Sequence, residues 1–329
     1  MVRLGVRLDA IPQLTIEDML DLALIAEERG YESAWVPEGG GRDSLTQLTA
    51  FAMATRRIHL GTGILPVFSR TPTLTAMSAV GLDMISNHRF ILGLGVGHQG
   101  SVEGAHGIDF KNPFTRIKET VTIVRRLLRG EHVSYQGRLF KVAKATLGYA
   151  QEFPVPLYLA ALGPQMIELA GEVADGVLLN WASPTYLEEA LGYLRRGADR
   201  AGRRVEEIDV ACYIRVAVVA DDDVVHGPLR RQLLRYIGMD YYRNFFLRTG
   251  FMEEIQAIDR HIARGDHDKA AGAITEEMQR QMAVFGPPEF CRQEIERRRK
   301  MGLKLPIIAP FAVGGAKNSY RATIEAFEG

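Results

Sequence analysis

Ile58-His59-Leu60-Gly61-Thr62-Gly63 passes through Ile64-Leu65-Pro66-Val67-Phe68-Ser69-Arg70-Thr71-Pro72 into a helical run ending at Ser86, so this stretch holds one strand, one loop and one helix. Pro72 suits a first helical turn, where its missing amide proton costs nothing. The same unit recurs outward in both directions. Residues 3–8 form a strand, and Ile16, Met19, Leu20, Ala23 and Ala26 follow at helical spacing, opposite Asp18, Asp21 and Glu28. Strands at 33–36 and 90–96 precede helices at 44–55 and 113–128. Further strands fall at 156–161, 176–180, 208–219 and 306–309. Eight strands alternating with helices mean a parallel sheet that can close, so the expected fold is α/β: a (β/α)8 TIM barrel.

Departures from the repeat are expected at three places. Residues 133–142 alternate around Gln136-Gly137 and read as an excursion hairpin. Insertions follow strand 4, where Gly104 and Gly107 prolong a loop, and strand 7, where 221–286 is polar and helical. The last helix spans 288–301, and its basic end, Arg297-Arg298-Arg299-Lys300, complements the helix dipole. The expectation is one domain over 1–329, with 221–286 as a helical insertion within it.

The chain has 329 residues, 47% of them hydrophobic, which is enough for a large core. Forty basic residues balance forty acidic ones, so no overall field favours nucleic acid or an anionic membrane surface. Apolar runs are of strand length, well short of the ~20 residues of a membrane helix. Cys212 and Cys291 lack CxxC spacing, and the N-terminus enters a strand without a signal-peptide pattern, so a cytoplasmic protein is expected.

Gly95-Val96-Gly97-His98-Gln99-Gly100 matches GxGxxG, but the expected loop and hairpin beyond it do not make a dinucleotide-binding unit. A glycine-rich loop at a barrel mouth accounts for it better. GxxxxGK[ST], HExxH and GxSxG are absent, and His98 and His106 have no carboxylate at ligand spacing, so no metal is expected. Barrel chemistry belongs at the C-terminal ends of the strands. Glu38 and His98 fall there, and either could exchange a proton with a substrate.

Several segments, in this order, resemble the bacterial-luciferase-like barrels, in particular the branch that uses the 8-hydroxy-5-deazaflavin coenzyme F-420. They are Ala34-Trp35-Val36-Pro37-Glu38, the stretch from Gly61 to Pro72, Arg89-Phe90-Ile91-Leu92-Gly93-Leu94-Gly95, Pro156-Leu157-Tyr158-Leu159-Ala160-Ala161-Leu162-Gly163-Pro164, and Ala170-Gly171-Glu172-Val173-Ala174-Asp175-Gly176. The resemblance implies a deazaflavin, or alternatively FMN, at the mouth, with a cis peptide from Gly63 to Ile64 behind its ring. It further implies that Gly63, Ile64, Val96, Gly97, His98 and Arg70 approach the coenzyme, while Ala161, Leu162 and Gly163 receive its phosphate. Arg42, Arg70 and Lys111 stand near strand ends, where they could meet the deazaflavin's anionic tail. The activity implied is hydride transfer between F-420 and a small organic substrate; an FMN monooxygenase and a non-catalytic flavin-binding barrel are the alternatives. Relatives acting on sugar phosphates or methylene-pterins often carry other polar residues after strands 2 and 4, so no substrate carries over. By the same resemblance a homodimer is expected.

Overall fold

Strands follow the chain as β1 (Gly5–Arg7), β2 (Ser33–Val36), β3 (His59–Thr62), β4 (Leu65–Pro66), β5 (Phe90–Gly95), β6 (Val133–Gln136), β7 (Lys141–Ala145), β8 (Leu157–Ala160), β9 (Gly176–Asn180), β10 (Asp209–Val218), β11 (Ala283–Gly286) and β12 (Leu305–Pro310). Helices lie between and after them: α1 (Ile16–Glu28), α2 (Ser44–Ala54), α3 (Pro72–Ser86), α4 (Gln99–Gly104), α5 (Pro113–Leu128), α6 (Pro164–Val173) and α7 (Pro184–Arg200). The second half adds α8 (Asp223–Ile237), α9 (Asp240–Arg248), α10 (Met252–Ile262), α11 (His267–Gly272), α12 (Glu276–Met282), α13 (Pro288–Lys300) and α14 (Ala316–Glu325). This computed structural model describes residues 2–39, 41–148 and 154–329.

The eight expected strands, β1, β2, β3, β5, β8, β9, β10 and β12, pair in parallel, and β9 pairs again with β10 to close the barrel. Two apolar layers hold it. Outside, strand residues such as Cys212, Ile214 and Val216 face the helices. Inside, Trp35, Ile91, Tyr158, Leu178, Tyr213 and Ile307 fill the bore. This in-and-out alternation on β10 puts Tyr213 inside the barrel and Arg215 on the same face two residues on. Gly61 leaves room for the Trp35 ring, whose carbons occupy the space a Cβ there would need. Arg89 is buried and donates to the carbonyls of Ala52, Thr55, Ile58 and Ser86, which ties the end of α2 to the start of β5.

Three expected departures take definite form. β6 and β7 are an antiparallel hairpin apart from the barrel, and the Glu119 carboxylate accepts amide protons from Arg138 and Phe140 in its turn, at 2.7 and 2.9 Å. Helices α8 to α12 fill most of the stretch after strand 7, but it ends in β11, which continues alongside β10. After strand 4 the expected loop contains α4, opening directly behind Gly97 and His98. That supplies the helix whose absence counted against a dinucleotide unit, yet the preceding strand lies in a closed barrel, so the glycine-rich segment remains part of its mouth.

The Gly63 to Ile64 bond is trans, as are all peptide bonds among the described residues, which corrects the cis bond implied by the resemblance. The jog is made through Thr62. Its hydroxyl donates to the Gly93 carbonyl at 2.9 Å and accepts from the Gly93 amide at 2.7 Å, in place of a backbone ladder. The chain then steps aside and rejoins β5 as β4, opposite Leu94 and Gly95. Gly63 donates to Val36 and Ile64 accepts from Glu38, so both sides of the jog are satisfied with a trans bond.

Candidate active site

The C-terminal ends of the strands gather a polar mouth above the apolar bore. On its floor, a Cβ at Gly63 would stand 2.7 Å from both the Pro37 backbone and the Tyr213 hydroxyl, so only glycine fits this jog. The Tyr213 hydroxyl is buried and has no hydrogen-bond partner among the described residues. A second orphan is the indole nitrogen of Trp181, just past β9. Trp181 also holds a left-handed backbone, φ 56°, which costs a non-glycine residue about 1–3 kcal/mol and collects at functional sites. Unsatisfied buried donors and backbone strain at the ends of the barrel strands mark a place shaped for a ligand.

Cations dominate the wall formed by β1 and β10. Arg7 pairs with Asp9 at 2.7 Å and lies over the Tyr213 ring at 4.8 Å. Arg215, only 2% exposed, donates to the Asn180 amide oxygen and to the Tyr236 hydroxyl, the latter at 3.3 Å, and stacks on Trp181 at 4.1 Å. No carboxylate among the described residues pairs with it. The Asn180 amide nitrogen donates to Tyr242 at 2.6 Å, which fixes the amide's orientation. Burial, with Arg7 close by, lowers the Arg215 pKa.

The residues singled out in the sequence are distributed as follows. His98 caps α4 without a side-chain hydrogen bond, and its ring lies 5.6 Å from that of Tyr242 and 6.5 Å from that of Tyr236. Burial, and then Arg235 and Arg7, hold its pKa below the ordinary imidazole value, so it is neutral at pH 7. Glu38 is tied down: it accepts from Arg70 at 3.0 Å and from Ser44 at 3.2 Å. Arg70 also pairs with Asp43. Ile64, Val96 and Gly97 are half-buried at the mouth, Gly97 with φ 73°. Ala161 and Leu162 are buried, and Gly163 begins α6 with no side-chain cap on its first amides. The Tyr241 hydroxyl stands 2.9 Å from where a Gly163 Cβ would be, at the position expected for a phosphate. Arg42 is occupied with the Leu14 carbonyl and Lys111 with Asp109, so both expected tail cations already have partners.

Arg215, Tyr236 and Tyr242 were not expected from the sequence. One signal was available: an arginine inside the apolar strand Ile214-Arg215-Val216 is costly unless a site requires it.

Comparison with known proteins agrees with this geometry. The profile of the family described as luciferase-like monooxygenase matches residues 2–305. The chain belongs to that family. This luciferase-like chain is 33% identical over 314 residues to the 5,10-methylenetetrahydromethanopterin reductase of Methanolobus tindarius, covering 94% of itself and 95% of that protein. It is 32% identical to the F-420-dependent glucose-6-phosphate dehydrogenase of Nakamurella multipartita, over 67% of itself and 69% of that enzyme. Among solved structures, the F-420-dependent tetrahydromethanopterin reductase of Methanopyrus kandleri superposes with a TM-score of 0.80 at 27% identity, covering 99% of this chain and 98% of that one.

Proposed function

We propose that this protein is a deazaflavin-dependent oxidoreductase that moves hydride between coenzyme F-420 and a small organic substrate. One observation carries the reading: a bare glycine jog at Gly63 abuts the orphaned hydroxyl of Tyr213, with a second orphaned donor at Trp181, in a luciferase-like barrel. When bound, the coenzyme supplies or takes the hydride. Gly63, Ile64, Val96 and Gly97 would hold its ring. Ala161, Leu162 and Gly163 would hold its phosphate, because uncapped amides at a helix start favour an anion. Neutral His98 lines the mouth as a proton acceptor. Glu38, clasped by Arg70 and Ser44, positions the loop after β2, and its exchange of a proton with substrate requires release from that clasp.

The whole chain acts as one domain, with α8 to α12 as an insertion over the mouth. A homodimer is part of the same reading, supported by α3: Leu74, Met77, Met84 and Ile85 are exposed on it, as is Met53 on neighbouring α2. Such a stripe is costly to leave in water. Two free, buried cysteines suit a reducing cytoplasm.

The test is to mix the protein with reduced F-420 and follow the return of the oxidised chromophore. The substrates are 5,10-methylenetetrahydromethanopterin, taken from the names of the relatives, and a panel of ketones and aldehydes. Enzyme-dependent oxidation with one of them is the expected result. Tight coenzyme binding without turnover on any would leave a carrier or sensor.

A further inference from the structure

Arg215 raises a problem of charge. A guanidinium taken out of water without an anion costs several kcal/mol unless something nearby can bear the negative charge. Arg7 has Asp9 for that purpose. Arg215 has an amide oxygen, an indole face and the hydroxyl of Tyr236. Of these only the phenol can ionise.

Tyr236 sits in the last turn of α8, which the insertion after β10 lays across the mouth. Aromatic neighbours fix its ring: Tyr242 at 4.7 Å, Trp181 at 5.2 Å and His98 at 6.5 Å. The groups facing it are Arg215 from β10, Arg7 and Asp9 from β1 and the turn after it, Arg235 from its own helix, Tyr242 from α9 and His98 before α4. Three arginines outweigh one carboxylate.

We propose that Tyr236, held by Arg215 and edge-on to His98, gives the substrate its proton as hydride arrives. The inference rests on the oxidoreductase reading above. The reduced deazaflavin, when bound, would supply hydride to the substrate carbon, and the electron pair of the carbon–heteroatom π bond would move onto the heteroatom. The O–H bond of Tyr236 breaks, and its proton goes to the heteroatom beside that carbon. The phenolate left behind is stabilised by Arg215 and recovers a proton from solvent, so the substrate gains one hydride and one proton. In the opposite direction the same phenolate accepts the proton. Electrostatics supports the geometry: burial and Asp9 oppose ionisation, but Arg215, Arg7 and Arg235 outweigh them and bring the phenol below its ordinary value. A donor with a pKa near the working pH is efficient in both directions.

The test uses the whole protein and the variants Tyr236→Phe, which keeps the ring and its packing, and Arg215→Met. A pH titration without coenzyme, followed by phenolate absorbance, should show one tyrosine ionising below the ordinary tyrosine value of about 10 in the wild type. Tyr236→Phe should abolish that step, and Arg215→Met should move it upward. With reduced F-420 and 5,10-methylenetetrahydromethanopterin, or whichever ketone or aldehyde the wild type reduces, Tyr236→Phe should lose roughly 100-fold or more in kcat. F-420 affinity should change less than about threefold, because a proton donor acts on the transition state rather than on coenzyme binding. Its rate should also lose the wild type's decline on the alkaline side. Wild-type tyrosines that all ionise at or above their ordinary value of about 10 would overturn the proposal. So would a lowered step that survives in Tyr236→Phe, or full turnover by that variant. Failure of the wild type to bind or oxidise F-420 would overturn the functional reading and the donor role with it. Normal wild-type turnover matched by Tyr236→Phe would overturn the donor role alone.

Discussion

Gly63 and His98 make different demands on the same mouth. At Gly63 the constraint is space: an added methyl group meets the Pro37 backbone and the Tyr213 hydroxyl at 2.7 Å. Gly63→Ala should cost about 1–3 kcal/mol of stability, as overpacked sites do, and weaken coenzyme binding further by pushing the jog into the ring's place. Thermal unfolding and a coenzyme titration measure the two effects separately. At His98 the constraint is charge. Its folded pKa lies below the ordinary value, so the imidazole is neutral at pH 7 and becomes charged only at lower pH. In the direction that takes hydride and a proton from substrate, turnover should therefore hold through neutrality and fall on acidification, with an inflection below about pH 6.5. His98→Asn should lose that acid limb and lower the rate with little change in coenzyme affinity. An unaltered pH profile in the variant would show that the ring only ties down its loop. Both residues were legible in the sequence because each follows a recognisable strand. Arg215 and Tyr236 were not: the arginine is hidden in an apolar strand, and the tyrosine lies in a polar helix whose position over the mouth no local pattern encodes.

Among the elements, those with a full period of apolar residues could be read directly, as with the eight barrel strands and α3. Apart from the hairpin, those outside the repeating strand–helix unit could not. β4 is two residues long, β11 is four, and α4 opens where glycines suggest a loop. Their existence depends on partners: β4 forms because Thr62 hands the chain back to β5, and β11 because β10 outruns β9 and leaves an open edge. The hairpin was legible from Gln136-Gly137, while its anchoring to Glu119 of α5 was not. α3 carries a prediction of its own. Met77 is 56% exposed and Met84 60%, two turns apart on one side of the helix. The double substitution Met77→Glu with Met84→Glu should turn a dimer into a folded monomer in analytical ultracentrifugation. Unchanged sedimentation would place the subunit contact elsewhere, and a monomeric wild type would remove the dimer altogether.

For the whole molecule, forty positive and forty negative charges cancel, but not evenly. The mouth keeps Arg7, Arg215 and Arg235 around a single carboxylate, Asp9, while Glu38 is neutralised by Arg70. A neutral protein with a positive mouth attracts anionic ligands locally without holding polyanions over its surface. F-420 carries an anionic tail that FMN lacks, so its binding should weaken more steeply with salt. Arg42, Arg70 and Lys111 already have protein partners, which leaves that attraction mainly to the arginines of the mouth. The fold and the location of the site followed from a repeating pattern; the charge at the mouth required the three-dimensional arrangement. The most direct test of the central claim is a titration of the purified protein with F-420 and with FMN in parallel, at low and high salt. The account predicts saturable F-420 binding that is tighter than FMN binding and more sensitive to salt. Tight FMN binding with no measurable affinity for F-420 would contradict it and favour a flavin monooxygenase.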